Sequence, residues 1–585
     1  MKKDLTKNML LVAISILFFI GSAIAAQTNL PKNAQGWTIF TPSSDSRIMY
    51  VSASGNDSTG QIYNSTSFSD SFNPSDEAAF ATYAAAYANA RNGYPDWILF
   101  KRGETFTQDI NGSIRNGRSS TEPFVIGAYG ASGNSPTIKT SAKTTALNSW
   151  LRSNVAVFGL DFYSYTRNPM DFGYISGSNV SGVSFLTMTS NAVLKNILLE
   201  GCKFRFYADG LNIQAYDGTI ENLKVRRCIL LDNYSGGASH AQGAFVRGFD
   251  IYFEGCVFDH NGWYSQAGSG GIGEATVFNH NIYAADFPSG IFRNNILMRA
   301  SSIGSLIKSN STKGGVGVEV DNNLYLDNEV GLSLTTESNP GDWQWENVSI
   351  INNVFSNIGR SQQTNRTLSW YLDYGGVDTG IIANNLLINQ ENSSLSGHGI
   401  NLFDYQKDVT VSGNVIYNLQ NCEGLNFDDA KGVNISGVTF QNNKIQIPTN
   451  SGYTVNAEYD LGDTVFSGNQ FYSSKSDGTR FRLIGVNKTD SEWASATSDD
   501  SNITQVSFPD NTRDVDTYMG SIGGTATIEG FITAMRAQDR FSWDPRLEAD
   551  AVNAWIRAGF YENPSLANPI ENSIINAPAN LTVVN

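Results

Sequence analysis

Charged residues make up only 16% of this 585-residue chain, and the shortage is uneven: 39 Lys and Arg stand against 55 Asp and Glu, a formal charge of −16. Nucleic acid binding depends on Lys and Arg replacing counterions on phosphate, so this balance disfavours nucleic acid, and no nucleic acid partner is expected. An anionic polysaccharide stays open, because a local basic groove can coexist with a negative average, but the groove must then be visible as particular Arg and Lys positions. Long apolar runs are also missing beyond the first 25 residues, which predicts no membrane span, and no cysteine follows there to carry a lipid. No HExxH zinc signature occurs, so no cofactor is assigned, and calcium is the one metal left open.

What is present begins with an export signal. Lys2, Lys3 and Lys7 precede an apolar run from Met9 to Ile20, and Ala23-Ile24-Ala25 has the small-residue cleavage pattern. Residues 1–25 therefore read as a signal peptide, and the mature protein is expected in the periplasm or secreted.

One pattern organises the middle of the chain: alternating apolar residues, a turn pair ending in Asn or Cys, then another apolar strand. It appears as ILLEGCKF from Ile197, IYFEGCVF from Ile251, GIFRNNIL from Gly290, VSIINNVF from Val348 and VTVSGNVI from Val409, among ten copies. The aligned turn residues are Cys202, Cys228, Cys256, Asn295, Asn323, Asn353, Asn385, Asn414, Asn443 and Asn469, spaced 26 to 39 residues apart. That interval is too long for a hairpin and suits one coil of a three-sided solenoid, each coil stacking at roughly 4.8 Å. The expected fold is all-β, a right-handed parallel β-helix, with Asn ladders bonding successive coils. Cys replaces Asn where a small buried group suffices, so Cys202, Cys228 and Cys256 read as free buried thiols ahead of the alternative, a disulfide. Cys422 has no assignment.

A second strand series starts with Gly and alternating apolar residues, as in DGLNI from Asp209, QGAFV from Gln242, VGLSL from Val330 and HGINL from His398. The longest departure from the repeat is a Gly-rich insertion from Gly262 to Thr276, and long loops on a rigid stack are common carriers of function. DEAAFATYAAAYANAR from Asp76 reads as an amphipathic N-terminal capping helix. TIEGFITAMRAQDRF from Thr527 and LEADAVNAWIRAGF from Leu547 read as C-terminal helices, a cap or a side-packed pair. The chain divides into the signal at 1–25, an N-terminal strand and helix cap with the first coils at 26–150, the β-helix at 151–500, and a C-terminal helical cap and tail at 501–585.

The opening YVSASGNDSTG from Tyr50 with DWILFKRGETF from Asp96, and the segments SHAQG at Ser239, FDHNGW at Phe258, FNHNIY at Phe278 and AVNAWIRAGF at Ala551, resemble secreted proteins of the pectate-lyase-like β-helix superfamily. The resemblance covers nearly the whole mature chain. It implies the fold and a carbohydrate context more than a substrate, since that superfamily includes lyases, hydrolases, epimerases and binding proteins. GHG at Gly397 is similar to the histidine motif of polygalacturonase-type hydrolases, but the paired Asp motifs expected before it are missing. The DPHD-type motif of alginate epimerases and the calcium-holding Asp cluster of pectate lyases are not found.

Three of the four histidines, His240, His260 and His280, fall in the two coils between Cys228 and Asn295. Coil alignment predicts that Asp232, His260 and Arg299 stack along one edge with Asp259 beside them. It also aligns Asp209, Gln242 and His280 at the start of their strands, with Arg247, Lys308 and Tyr283 on the same face. Trp263, Tyr264 and Phe245 offer planes for sugar rings. Isolated His and Asn in such a stack often only tie adjacent coils, which is the expectation for His398. Uronate elimination needs a cation on the carboxylate, a base for the C5 proton and an acid for the leaving oxygen. Arg299, Arg247 or Lys308 suit the first role, His260 or His280 the second, Tyr283 or His240 the third, with Gln242 in substrate binding. Hydrolysis needs two carboxyl groups, for which Asp232, Asp259, Asp209 and Glu274 are available. The expectation is a monomeric polysaccharide-degrading enzyme, lyase ahead of glycoside hydrolase, with a glycan-binding or matrix protein as the other class.

Overall fold

The computed structural model describes residues 30–563 apart from 142–143, 150, 238–239, 311–314, 337–343, 429–434, 448–451 and 500–501; the segment read as an export signal and the last part of the tail lie outside the described residues. Three long sheets of 15, 14 and 14 strands run the length of the molecule, and nearly all pairing within them is parallel. Each coil passes through face 1, face 2 and face 3 in turn, as in Ile251–Glu254, Val257–Asp259 and His280–Ala285. This is the right-handed parallel β-helix expected from the repeat. Among the described residues no helix is long and apolar enough to cross a membrane.

The repeat works through the corner between faces 1 and 2. The residue before each ladder position takes the left-handed conformation, at φ of 62° in Gly201, 59° in Asn294, 60° in Asn352 and 64° in Gly413, which is why Gly or Asn stands there at every coil but one, where Arg227 adopts φ of 47° before Cys228. The ladder side chain then points into the core. Asn295 donates from Nδ2 to Asn323 Oδ1 at 2.9 Å and to the Phe253 carbonyl at 3.2 Å, while its backbone N–H donates to the same Oδ1. The pattern repeats through Asn323, Asn353, Asn385, Asn414 and Asn443 to Asn469. Cys202, Cys228 and Cys256 are free and buried, and their thiols donate to Val157, Leu199 and Val225 carbonyls, the same row that the Asn amides use. Cys422 is also a buried free thiol, in a face 3 strand.

A second ladder, not foreseen, runs along the corner between faces 2 and 3. Asn233 donates to Asn261 at 2.8 Å, Asn261 to Asn281 at 2.9 Å, and Asn281 to the Met298 carbonyl at 3.0 Å. It holds the insertion at its neck, where Asn279 also donates to the Gly262 carbonyl at 2.7 Å.

The N-terminal helix is shorter than its amphipathic pattern predicts. Only α1 (Tyr83–Ala88) is helical, because Phe80 pairs with Val51 in a bridge to the first strand and Thr82 caps the helix from its side chain. Tyr83 and Ala86 join the interior core. At the other end α2 (Asp490–Thr497) inserts Trp493 against Phe466 and Phe481. Three further helices, α3 (Val515–Ser521), α4 (Ile528–Ala537) and α5 (Ala549–Arg557), pack on the outside of face 2. There Phe531, Met535, Val552 and Ile556 cover Leu231, Met298, Leu326 and Ile388.

The ladder predicts its own energetics. Asn353→Ala removes the acceptor for the Asn323 backbone N–H and Nδ2 and strands the Val320 carbonyl, so it should cost about 3 kcal/mol in chemical denaturation. A loss below a few tenths of a kcal/mol would mean that the stack does not depend on the amide chain.

Candidate functional site

Face 3 carries side chains in register columns on its outer surface. Asp209, Gln242 and His280 begin successive strands and each accepts the backbone N–H of the next coil: Gln242 N–H to Asp209 Oδ1 at 2.9 Å, His280 N–H to Gln242 Oε1 at 2.6 Å, Ile303 N–H to His280 Nδ1 at 3.3 Å. Because His280 Nδ1 accepts, the neutral ring carries its proton on Nε2. Burial, with Arg366, His240 and Lys308 adding to it, pushes the His280 pKa down to about 3. His280 is therefore an uncharged donor and a weak base. Asp209, half-buried, is raised to about 7 by burial, against the pull of the Gln242 N–H and Arg167.

The next column holds an aromatic platform. Phe245 and Tyr283 stack at 5.2 Å with their planes 10° apart, and His280 meets Tyr283 edge-on at 5.9 Å. Beside them Arg247, Ala285 and Lys308 occupy one register position on three coils, so the smallest side chain lies between two cations. Arg247 pairs with Asp286 at 3.0 Å. His240 is exposed, with its ring 5.4 Å from Phe278.

Arg366 and Glu329 belong to this site and were not foreseen. The segment 357–367 folds back along the edge of face 3, where Ala267 donates to Gln363 at 3.0 Å and Asn365 to Ala267 at 2.6 Å, joining it to the insertion. Arg366 is fixed by Glu329 at 2.8 Å and Ser302 at 2.6 Å, and its charge reaches His280. Two arginines in one inter-strand segment, Arg360 and Arg366, were the only signal in the sequence.

The remaining residues form a separate cluster at the corner between faces 2 and 3. Asp232, His260 and Arg299 stand on consecutive coils with φ of 53°, 59° and 43°. His260 Nδ1 lies 2.9 Å from Asp232, while Asp259, fully buried, takes Arg299 through Nε at 2.8 Å and a terminal nitrogen at 2.6 Å. Arg536 of α4, which carried no functional signal in sequence, bonds both carboxylates, reaching Asp232 at 2.5 Å. Two arginines thus balance two carboxylates. Burial works against the ionised form of Asp232, but His260 and Arg536 outweigh it and hold its pKa at about 2.

The expectation that one face gathers all of these groups is corrected: outward side chains of face 2 and of face 3 diverge at the corner, so Asp259 and Arg299 serve the helix interface. Trp263 and Tyr264 likewise do not reach the platform. Trp263 packs on His260 at 4.2 Å and donates to the Arg299 carbonyl at 2.8 Å, and Tyr264 packs on Tyr234 at 5.4 Å. Glu274 accepts N–H groups of its own loop, Gly268 and Gly270. Among the described residues no group of three or more His, Cys, Asp or Glu is arranged to hold a metal ion. A cavity opens elsewhere, between Lys32, Arg226 and Glu548.

No protein-family model matches the chain, and no curated protein matches it by sequence. Solved structures that are similar to it include a lacto-N-biosidase from Eubacterium ramulus, 13% identical over 76% of this chain and 66% of that one, with a TM-score of 0.30. The A-module of a mannuronan C-5 epimerase from Azotobacter vinelandii is 13% identical over 75% and 95%, TM-score 0.35, and a pectate lyase is 14% identical over 85% and 87%, TM-score 0.26. The three sheets by themselves make this a right-handed parallel β-helix.

The corner cluster makes a pH prediction. A carboxylate whose pKa is depressed on folding stabilises the native state above its unfolded pKa near 4 and loses that contribution as pH falls through about 2. Asp232→Asn should therefore cost about 2 kcal/mol at neutral pH, with the gap to the parent closing between about pH 4 and 2 in denaturant titrations. An equal gap at every pH would show that the pair carries no ionic stabilisation.

Proposed function

We propose that the protein is an exported, monomeric polysaccharide-degrading enzyme that works on face 3, and that it cleaves an acidic, uronate-containing glycan by β-elimination. The observation that carries this reading is the stacked, half-buried Phe245–Tyr283 pair beside Arg247 and Lys308 on the outward side of face 3, with the charge of Arg366 reaching His280. Aromatic planes suit sugar rings, and cations held at fixed positions suit the uronate carboxylate, whose neutralisation makes the C5 proton acidic. His280 acts there as an Nε2–H donor to the developing enolate, since its lowered pKa leaves it a poor base. The base role falls to exposed His240, which takes the C5 proton; the electron pair forms the C4–C5 double bond, the C4–O bond breaks, and Tyr283 protonates the leaving oxygen. Gln242 orients His280 through its backbone N–H. His260, Asp232, Asp259 and Arg299 buttress the corner behind the site.

A hydrolase is the second reading, favoured by one observation: Asp209, in the His280 column, keeps its proton to about pH 7, as a general acid must.

The test is incubation of the purified protein with acidic and neutral polysaccharides, following ultraviolet absorbance of unsaturated uronates alongside new reducing ends. Both signals should rise together and fall by about a hundredfold or more in His280→Ala and Tyr283→Phe. Reducing ends without absorbance, lost in Asp209→Asn, would replace elimination by hydrolysis. Silence in both channels would replace the enzyme by a binding protein.

A further inference from the structure

Face 3 carries a second constellation that the proposed reaction does not use. The column that starts at His280 continues without a break through Ile303, Val330, Trp370, His398 and Glu423. Trp370 and His398 stack at 5.1 Å with their planes 29° apart. His398 Nε2 lies 2.6 Å from Asp373 Oδ1, and Asn401 donates to the same oxygen at 3.2 Å. Asn426 donates to Asn401 and Asn456 to Asn426, each at 3.0 Å, so a file of side-chain amides turns its donors back towards Asp373. The file ends on Asn456 Oδ1, which is buried without a partner in a residue only 7% exposed. An unsatisfied buried carbonyl oxygen calls for a donor from outside the chain. Glu423 stands beside His398, and burial raises its pKa against the opposing charge of His398.

The two ends of face 3 thus differ in chemistry. Around His280 the side chains offer cations and N–H donors. Around His398 they offer an aromatic plane and the carboxyl groups of Asp373 and Glu423, with Arg482 paired to Glu458 at 2.6 Å and Lys475 over the Tyr453 ring at 4.3 Å, its charge reaching Glu423. Hydroxyl groups of an uncharged sugar match these carboxyl acceptors, whereas a carboxylated sugar brings a further anion beside Asp373 and Glu423. We propose that Trp370, Asp373, His398 and Glu423 form a distal subsite for an uncharged sugar unit, so that the glycan is a heteropolysaccharide with its acidic unit at Arg247, Lys308 and Arg366. The inference rests on the reading of face 3 as a glycan groove. His398 is four coils from His280, roughly 19 Å along the solenoid at ~4.8 Å per coil, the span of a short oligosaccharide.

Calorimetric titration of the full-length protein with two probe sets tests this: cellotetraose, mannotetraose and galactotetraose as neutral probes, tetragalacturonate and tetramannuronate as acidic ones. A neutral probe should bind, about tenfold more weakly to Trp370→Ala and to the isosteric Asp373→Asn, and equally well to Arg247→Ala. Acidic probes should lose affinity in Arg247→Ala and keep it in Trp370→Ala. Failure of every neutral probe to bind, or equal binding of a neutral probe by the parent and Trp370→Ala, overturns the subsite. A fall in melting temperature of Asp373→Asn with neutral binding intact also overturns it and leaves a pair that only ties coils. Neutral binding as expected, with no acidic probe bound, would sink the acidic-glycan reading and leave this subsite standing.

Discussion

A parallel solenoid has to satisfy side-chain amides in a dry interior coil after coil, and the ladder from Asn295 to Asn469 does so with one unit. From Asn323 to Asn469 each Oδ1 accepts two N–H groups of the preceding coil, and from Asn295 to Asn443 each Nδ2 reaches both the next amide and a backbone carbonyl. Low dielectric strengthens every link and makes a missing one costly, so the ladder imposes register on the strands that flank it. Columns on all three faces inherit that register. This is why residues about 28 positions apart in sequence, such as Asp232 and His260, come within hydrogen-bonding distance.

The same regularity generates the surface chemistry. A backbone N–H leaving each corner onto face 3 finds the preceding coil's side chain, first Asp209, then Gln242, then His280. Identical geometry with different residue types gives a carboxyl group with a raised pKa, an amide and a neutral imidazole in one line. Acceptance of the Ile303 N–H fixes the His280 tautomer and takes its Nδ1 out of use. The corner cluster shows the complementary outcome, where α4 brings Arg536 over two carboxylates and balances them, turning Asp232 and Asp259 into anchors for the C-terminal helices.

Much of this was legible from periodicity. The ladder residues, the free thiols and the column that joins Asp209, Gln242 and His280 follow from aligning repeats, because a solenoid converts sequence spacing into height. The residues that escaped are those delivered by segments outside the repeat: Arg366 from the fold-back at 357–367, Arg536 from α4, and the second Asn ladder, whose Asn261 and Asn281 straddle an insertion of irregular length. The shortened α1 escaped for a related reason, since pairing of Phe80 with Val51 overrides helix propensity.

The sequence alone determined the solenoid, its register and the set of polar side chains each coil presents, because these depend on contacts that recur at a near-constant interval. Only the tertiary structure decided which face each cluster serves. His260 and His280 lie within one coil and look equivalent in the sequence, yet one turns to a charge-balanced helix interface and the other lies in a column with an aromatic platform beside it. That division depends on the corner at Asn261 and Asn281 and on loops that return from two and three coils away, and neither has a period to read.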